Sequence, residues 1–248
     1  MLVEGKHYRT IWPNKALTGV TIIDQTYLPF KFELRELTSL DEVVEAIKSM
    51  RVRGAPLIGV TAAYGLAIAL TKNSSDQSLI EAKKKLTESR PTAVNLSWAV
   101  NLLCDKIKIE PRDNRISMVW MLANKLADED IETNKSIGEF GFELIDKIKK
   151  PRINILTHCN AGWLATIDHG TALSPIYKAF EKGLDIHVWV DETRPRNQGM
   201  NLTAWELAQE NIPHTIITDN AGGLLMQRGE VDLIIVGADR VSIDGNVC

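Results

Sequence analysis

Four runs of branched apolar residues set the plan of the carboxyl-terminal part of the chain. They are Ile153-Asn154-Ile155-Leu156-Thr157, Ile186-His187-Val188-Trp189-Val190, His214-Thr215-Ile216-Ile217 and Val231-Asp232-Leu233-Ile234-Ile235-Val236. Each is too short to cross a bilayer and too continuously apolar for a strand with one wet face, so each reads as a buried parallel strand. Helical segments are predicted between them: Leu164 to Lys182 with a break before Pro175, Leu202 to Asn211, and Gly222 to Arg228. Strands alternating with helices predict a parallel sheet wound with crossovers. Polar residues follow every run: His158-Cys159-Asn160, Asp191-Glu192-Thr193-Arg194, Thr218-Asp219-Asn220 and Gly237-Ala238-Asp239. Open α/β sheets bind ligands at these carboxyl ends. The expectation is one small-molecule site, with Asp239 near its centre.

The earlier part of the chain has different periodicities. Val20 to Gln25 and the alternating Phe30-Lys31-Phe32-Glu33-Leu34 predict a small antiparallel element with one buried face. Ser39 and Glu42 have capping-box spacing, and Val43, Val44, Ile47 and Met50 continue as a helix. Pro56 is placed to start an apolar helix, because a first-turn residue needs no amide donor. An amphipathic helix follows the break at Asn73 to Ser75 and ends near Ser89. Another follows Arg90-Pro91-Thr92, with Leu96, Val100 and Leu103 on one face, and two helices are expected from about Asp113 to Lys149, the second marked by Ile137, Phe140, Leu144 and Ile148 at helical spacing. Lys147-Ile148-Lys149-Lys150 before Pro151 reads as a helix stop and a domain boundary. The fold class expected is α/β: a mostly helical domain with a small β element over residues 1–150, then a parallel α/β domain over 151–248.

Composition narrows the function. A chain of 248 residues is long for one hydrophobic core and comfortable for two. A net charge of -3 without a long basic run lacks the footprint of a nucleic-acid binder, so a bound phosphate would belong to a small molecule. Met1 to Lys6 has no signal-peptide pattern, and the apolar window from Ala55 to Leu70 falls short of the ~20 residues a bilayer requires. A cytoplasmic protein without membrane partners is expected. Cys104, Cys159 and Cys248 have neither disulfide-scaffold nor zinc-ribbon spacing and are expected as free thiols. The histidines do not cluster at metal-ligand spacing, so no metal is expected. Asp219-Asn220-Ala221-Gly222-Gly223 lacks the full dinucleotide fingerprint and the lysine of a P-loop, so no nucleotide cofactor is expected either.

Candidate chemistry sits at the turns. Cys159 lies between a predicted strand end and a predicted helix start, where helix-terminal amides would favour its thiolate; a small buried core residue is the competing reading. His158, its neighbour, points to the opposite face if the strand pleat persists, which argues against a Cys-His dyad. Asp239 ends an apolar strand, either as a poorly solvated general acid or base or as a carboxylate paired with Arg240. Arg53-Gly54-Ala55-Pro56 offers a guanidinium and helix-start amides that suit a phosphate, and Arg90 could add a second cation, although arginines at helix starts are commonly surface residues. The loop from Asp191 to Gly199 reads equally as a substrate loop or a solvated connection.

Five motifs in order carry a resemblance. They are Met50-Arg51-Val52-Arg53-Gly54-Ala55-Pro56, Thr157-His158-Cys159-Asn160-Ala161-Gly162, Asp191-Glu192-Thr193-Arg194-Pro195 with Gln198-Gly199, Asp219-Asn220-Ala221, and Gly237-Ala238-Asp239-Arg240. Together they resemble the methylthioribose-1-phosphate isomerase family, which is related to ribose-1,5-bisphosphate isomerases and to the regulatory α, β and δ subunits of the guanine-nucleotide exchange factor for initiation factor 2. The resemblance implies a Rossmann-like carboxyl-terminal sheet. It also implies an aldose-ketose isomerase of methionine salvage that converts 5-methylthioribose 1-phosphate to 5-methylthioribulose 1-phosphate without metal or nucleotide. By position, Cys159 and Asp239 match the family's catalytic pair, and Arg53, Gly54, Ala55, Arg90 and Gln198 match positions that hold the substrate and its phosphate. Family members continue beyond Cys248, where an Asn-Lys pair contacts substrate, and the full-length chain is expected to form a homodimer. A ribose-1,5-bisphosphate isomerase and a non-catalytic regulatory subunit are the alternatives. The joint presence of Cys159, Asp239, Arg53 and Gln198 argues against the second.

Overall fold

The computed structural model describes residues 1–238 and 240–247. The chain falls into two units, residues 9–131 and residues 1–8 with 132–248. It begins with an antiparallel ribbon of β1 (Leu2–Val3) and β2 (Lys6–His7), which belongs to the second unit.

In the unit of residues 9–131, β3 (Ile11–Pro13), β4 (Val20–Ile23) and β5 (Leu34–Leu37) form an antiparallel sheet in that order. The expected strand from Phe30 to Leu34 is displaced towards the carboxyl terminus. A 3-10 turn over Gln25–Tyr27 is followed by a second turn, in which the Phe30 and Lys31 amides both donate to the Tyr27 carbonyl at 3.0 Å. Pairing therefore starts at Leu34 opposite Ile23, and Phe30 is left in solvent.

Asp24 fixes this corner. Its fully buried carboxylate accepts from the Thr26 hydroxyl at 2.6 Å, from Arg35 Nε at 3.2 Å and from Arg51 Nη1. Burial alone would raise its pKa, but the Thr26 and Arg51 hydrogen bonds outweigh it and hold the carboxyl below its ordinary value of 3.8. A carboxylate held low in the fold contributes stability that is present above the unfolded pKa and lost as pH falls through the folded one. Asp24→Asn, which strands two arginines against a neutral amide, is expected to cost about 3 kcal/mol. It should also flatten the decline of the urea midpoint below about pH 3.8. A variant that keeps the wild-type acid sensitivity would exclude Asp24 as its source.

The expected helices follow. Helix α1 (Leu40–Lys48) starts with the capping box: Ser39 Oγ accepts the Glu42 amide at 3.3 Å and Glu42 Oε2 accepts the Ser39 amide at 2.9 Å. Helix α2 (Ala55–Lys72) is apolar around its whole circumference and long enough to be weighed as a membrane span, but every residue from Leu57 to Leu70 is buried in protein, as in a core helix. Helices α3 (Asp76–Ser89) and α4 (Val94–Ile107) pack on it.

One 34-residue helix, α5 (Arg112–Ile145), replaces the pair expected before Lys149 and carries the chain from one unit into the other. The units accordingly divide after Ile131 rather than at the 150/151 boundary. The physical reason is that the last turns of α5 pack with the sheet unit. There Ser174 Oγ donates to the Asn134 carbonyl at 2.9 Å, and Lys178 pairs with Glu139 at 3.0 Å.

The sheet unit contains β6 (Ile153–Thr157), α6 (Ser174–Glu181), β7 (Ile186–Asp191), α7 (Ala204–Gln209), β8 (His214–Ile217), α8 (Ala221–Gln227) and β9 (Leu233–Ile234). All four strands are parallel, in the order β8-β7-β6-β9. Ile153, Ile155, Ile186, Val188 and Val190 form its core with Leu173, Ile176 and Leu207 from the helices. Burial on both faces was expected of every strand, but it is confined to the two central ones. β8 and β9 are edges, and Ile216 and Ile234 are exposed. The predicted helix from Leu164 shrinks to a 3-10 turn over Trp163–Ala165, and α-helix begins only at Ser174, next to Pro175.

Candidate active site

Strands β6, β7 and β8 step across the sheet in one direction, and β9 then pairs on the other side of β6. A reversal of this kind opens a crevice at the carboxyl ends of the two diverging strands, where doubly wound sheets hold ligands. Cys159 lies two residues past the end of β6, at that reversal. Gly237, beyond β9, borders the same loop: a Cβ at this position would come within 2.9 Å of the Ala161 Cβ.

The backbone of Cys159 is in the left-handed region, with φ +62°, an uncommon state for a residue with a side chain. Two threonines hold it there. The Cys159 amide donates to Thr193 Oγ1 at 2.8 Å, and the Thr203 hydroxyl donates to the Cys159 carbonyl at 2.6 Å. The half-buried thiol donates to Gln198 Oε1 at 3.3 Å. The expected helix start behind Cys159 is not formed, so its helix-terminal amides are not available to the thiol. Backbone clamping replaces them.

A second network lies beside the first. His158 Nδ1 and Asp191 Oδ2 are 2.9 Å apart, so His158 pairs with Asp191 rather than with Cys159. Asp191 Oδ1 is buried without a hydrogen-bond partner among the described residues. Burial pushes this carboxyl above its ordinary pKa, against the opposing hydrogen bond from His158. Asp219 is the reverse case: the Arg194 amide at 2.8 Å and the Thr193 amide at 2.7 Å hold its carboxyl low. His158, Asp191 and Asp219 offer ligand atoms within 4.8 Å of one another, a grouping that sequence spacing did not suggest. Both Asp219 oxygens and one of Asp191 take part in the hydrogen bonds that shape the loop.

Of the residues singled out from sequence, the structure brings Cys159 and Gln198 together. Arg53, Gly54 and Ala55 lie together at the amino terminus of α2, in the unit of residues 9–131. There Arg53 is buried, Gly54 has φ +88°, and Asn95 Nδ2 donates to the Ala55 carbonyl at 2.9 Å. Arg90 caps the carboxyl end of α3 in the same unit. Asp239 lies outside the described residues. The sequence reading missed Thr203, Asn160 and Glu206. Asn160 belongs to a quoted motif but gave no reason to be singled out, and Thr203 and Glu206 fall in a segment that reads as an ordinary amphipathic helix.

Comparison with known proteins adds a family. Residues 51–248 match the model of the initiation factor 2 subunit family. A methylthioribose-1-phosphate isomerase of Escherichia coli O45:K1 is 55% identical over 253 residues, covering 100% of this chain and 68% of the relative. Among solved structures, 5-methylthioribose 1-phosphate isomerase from Pyrococcus horikoshii is similar with a TM-score of 0.87 and 38% identity, over 98% of this chain and 68% of that one. A protein from A. fulgidus described as translation initiation factor eIF-2B, subunit delta, is similar with a TM-score of 0.83 and 41% identity, over 95% of this chain and 69% of that one. The chain thus spans about two thirds of the length of these relatives.

Proposed function

The chain belongs to the initiation factor 2 subunit family, alongside its methylthioribose-1-phosphate isomerases, and we propose that it is an aldose-ketose isomerase converting 5-methylthioribose 1-phosphate to 5-methylthioribulose 1-phosphate. The observation that carries the reading is the thiol of Cys159, clamped at the reversal point of the sheet with its S–H directed at Gln198. The reaction needs such a group. The phosphate on C1 blocks simple release of a free aldehyde, so the ring opens only if its oxygen receives a proton as the C1–O bond breaks. A hydrogen then moves from C2 to C1 while the C2 hydroxyl gives up its proton to become the ketone. No net oxidation occurs.

We assign the catalytic pair to Cys159 and Asp239, the latter on the resemblance alone. On the same basis we assign substrate and phosphate binding to Arg53, Gly54, Ala55, Arg90 and Gln198. A buried guanidinium next to the first amides of a long helix has the chemistry a phosphate requires. The reading also places the protein in the cytoplasm, as a homodimer with a Rossmann-like sheet domain. A monomer of the full-length chain in light scattering would contradict the dimer.

The test is direct. Purified protein, expressed from its complete reading frame, is incubated with 5-methylthioribose 1-phosphate and ketose formation is followed. Ketose is expected, and its absence sinks the reading. The 41% identity to the A. fulgidus protein favours a second reading, a non-catalytic subunit of a translation factor complex. Recovery of translation factors from lysate together with no turnover would replace the first reading by it. Turnover of ribose 1,5-bisphosphate in preference to the methylthio sugar would move the assignment within the family.

A further inference from the structure

Glu206, on α7, is buried to 2% exposure, yet its partners among the described residues are all uncharged. Oε1 accepts from Asn160 Nδ2 at 2.8 Å and from the Leu164 amide at 2.9 Å. Oε2 accepts from the Trp163 amide at 2.8 Å and from the Tyr177 hydroxyl at 2.5 Å. A carboxylate has about four lone-pair positions, and here four donors fill them. Of these donors only the Tyr177 hydroxyl could turn to accept a hydrogen bond, and each carboxylate oxygen also faces a backbone amide that cannot.

Three of the four donors belong to the turn directly behind Cys159. The fourth, Tyr177, anchors the carboxylate to α6. The Asn160 amide nitrogen also donates to Thr203 Oγ1 at 3.1 Å, and that hydroxyl in turn holds the Cys159 carbonyl. An unbroken chain of hydrogen bonds therefore runs from Glu206 through Asn160 and Thr203 to the Cys159 backbone. Backbone and carboxylate meet closely at the same turn: a Cβ on Gly162 would lie 2.1 Å from Glu206 Oε2. The turn has little other regular structure, only the 3-10 residues Trp163–Ala165 before α6. What it lacks in helix or sheet hydrogen bonds, Glu206 supplies.

We propose that Glu206 is the positioning residue of the site: it locks the turn from Asn160 to Leu164 and, through Asn160 and Thr203, holds Cys159 in its left-handed conformation with the thiol directed at Gln198. The proposal rests on the catalytic assignment of Cys159 for its consequence in turnover, and on geometry alone for its consequence in thiol placement. The two are measured separately.

Glu206→Gln keeps the size of the side chain and turns one acceptor into a donor facing a backbone amide, that of Leu164 or of Trp163. In the full-length protein it is expected to lower kcat for the isomerisation about 30-fold while KM stays within about threefold, since strain in the turn misplaces the thiol without touching the phosphate-binding residues. The rate of alkylation of Cys159 by iodoacetamide, read site by site by mass spectrometry, should change at least about fivefold. Thr203→Val, which cuts the chain one link later, should reproduce both effects, and Thr203→Ser should restore them. The double variant Glu206→Gln/Thr203→Val should be no worse than the poorer single one. Wild-type kcat and alkylation in a folded Glu206→Gln protein overturn the proposal. If Glu206→Gln fails to fold, the Thr203 pair decides: equal alkylation and turnover in Thr203→Val and Thr203→Ser overturns it. An altered alkylation rate in a protein whose Cys159→Ala variant turns over normally would uphold the positioning and refute the catalytic assignment instead.

Discussion

Cys159→Ala is expected to lower kcat about 10^3-fold while substrate still binds, the loss associated with removing a positioned general acid or base. That factor corresponds to about 4 kcal/mol of transition-state stabilisation. The fold should tolerate the change. The contacts that hold residue 159 run through its amide to Thr193 and through its carbonyl to Thr203, and alanine keeps both. The side chain loses only the 3.3 Å hydrogen bond to Gln198. A folded, substrate-binding, inactive variant is thus the outcome that separates chemistry from architecture. Calorimetric binding of 5-methylthioribose 1-phosphate, with kcat measured on the same preparation, checks it. Wild-type turnover in Cys159→Ala would take the thiol out of the mechanism.

The central strands were legible in the sequence because Ile153–Thr157 and Ile186–Asp191 are buried on both faces, and burial on both faces leaves a continuous apolar run. The edge strands share that composition, so composition alone could not reveal that Ile216 and Ile234 face solvent; only strand order decides it. The capping box at Ser39 and Glu42 was readable for the opposite reason, since it is a local device whose partners lie three residues apart. The contact of Cys159 with Gln198 was not anticipated: the resemblance assigned the two residues separate roles, and no local rule links positions 39 residues apart in sequence. Helix propensity after Cys159 misled. The apolar residues after Trp163 suit a helix, but His169 and Gly170 take left-handed backbone, the Thr171 amide reaches back to the Ala161 carbonyl at 3.0 Å, and Asp168 is held by His7 at 2.7 Å. Tertiary partners thus overrode local preference at the turn that carries the candidate chemistry, where such departures are expected.

Gly199→Ala is expected to destabilise the sheet unit by about 3 kcal/mol, at the upper end of what overpacking costs. A Cβ at residue 199 would lie 1.8 Å from the Asp191 carbonyl oxygen and 2.9 Å from Thr193 Oγ1. Neither obstacle is the loose end of a flexible side chain. Asp191 is the last residue of a central strand, paired with Ile217, and Glu192 continues the pairing by donating to the Ile217 carbonyl at 2.9 Å. Thr193 Oγ1 is held between the Asp191 carbonyl and the Cys159 amide. The chain must therefore move at residue 199 itself, and Gln198 moves with it, away from the thiol it accepts from. Loss of turnover should accompany loss of stability, whereas Cys159→Ala should show the first without the second. Gly223→Ala is the control. Its added Cβ meets nothing within 4 Å and its backbone is helical, so the substitution should be neutral or stabilise the protein by up to about 1 kcal/mol. Urea unfolding of both variants measures the contrast. Equal midpoints would mean that residue 199 does not press against the end of β7, and the thiol would then owe its placement to the threonine clamps alone.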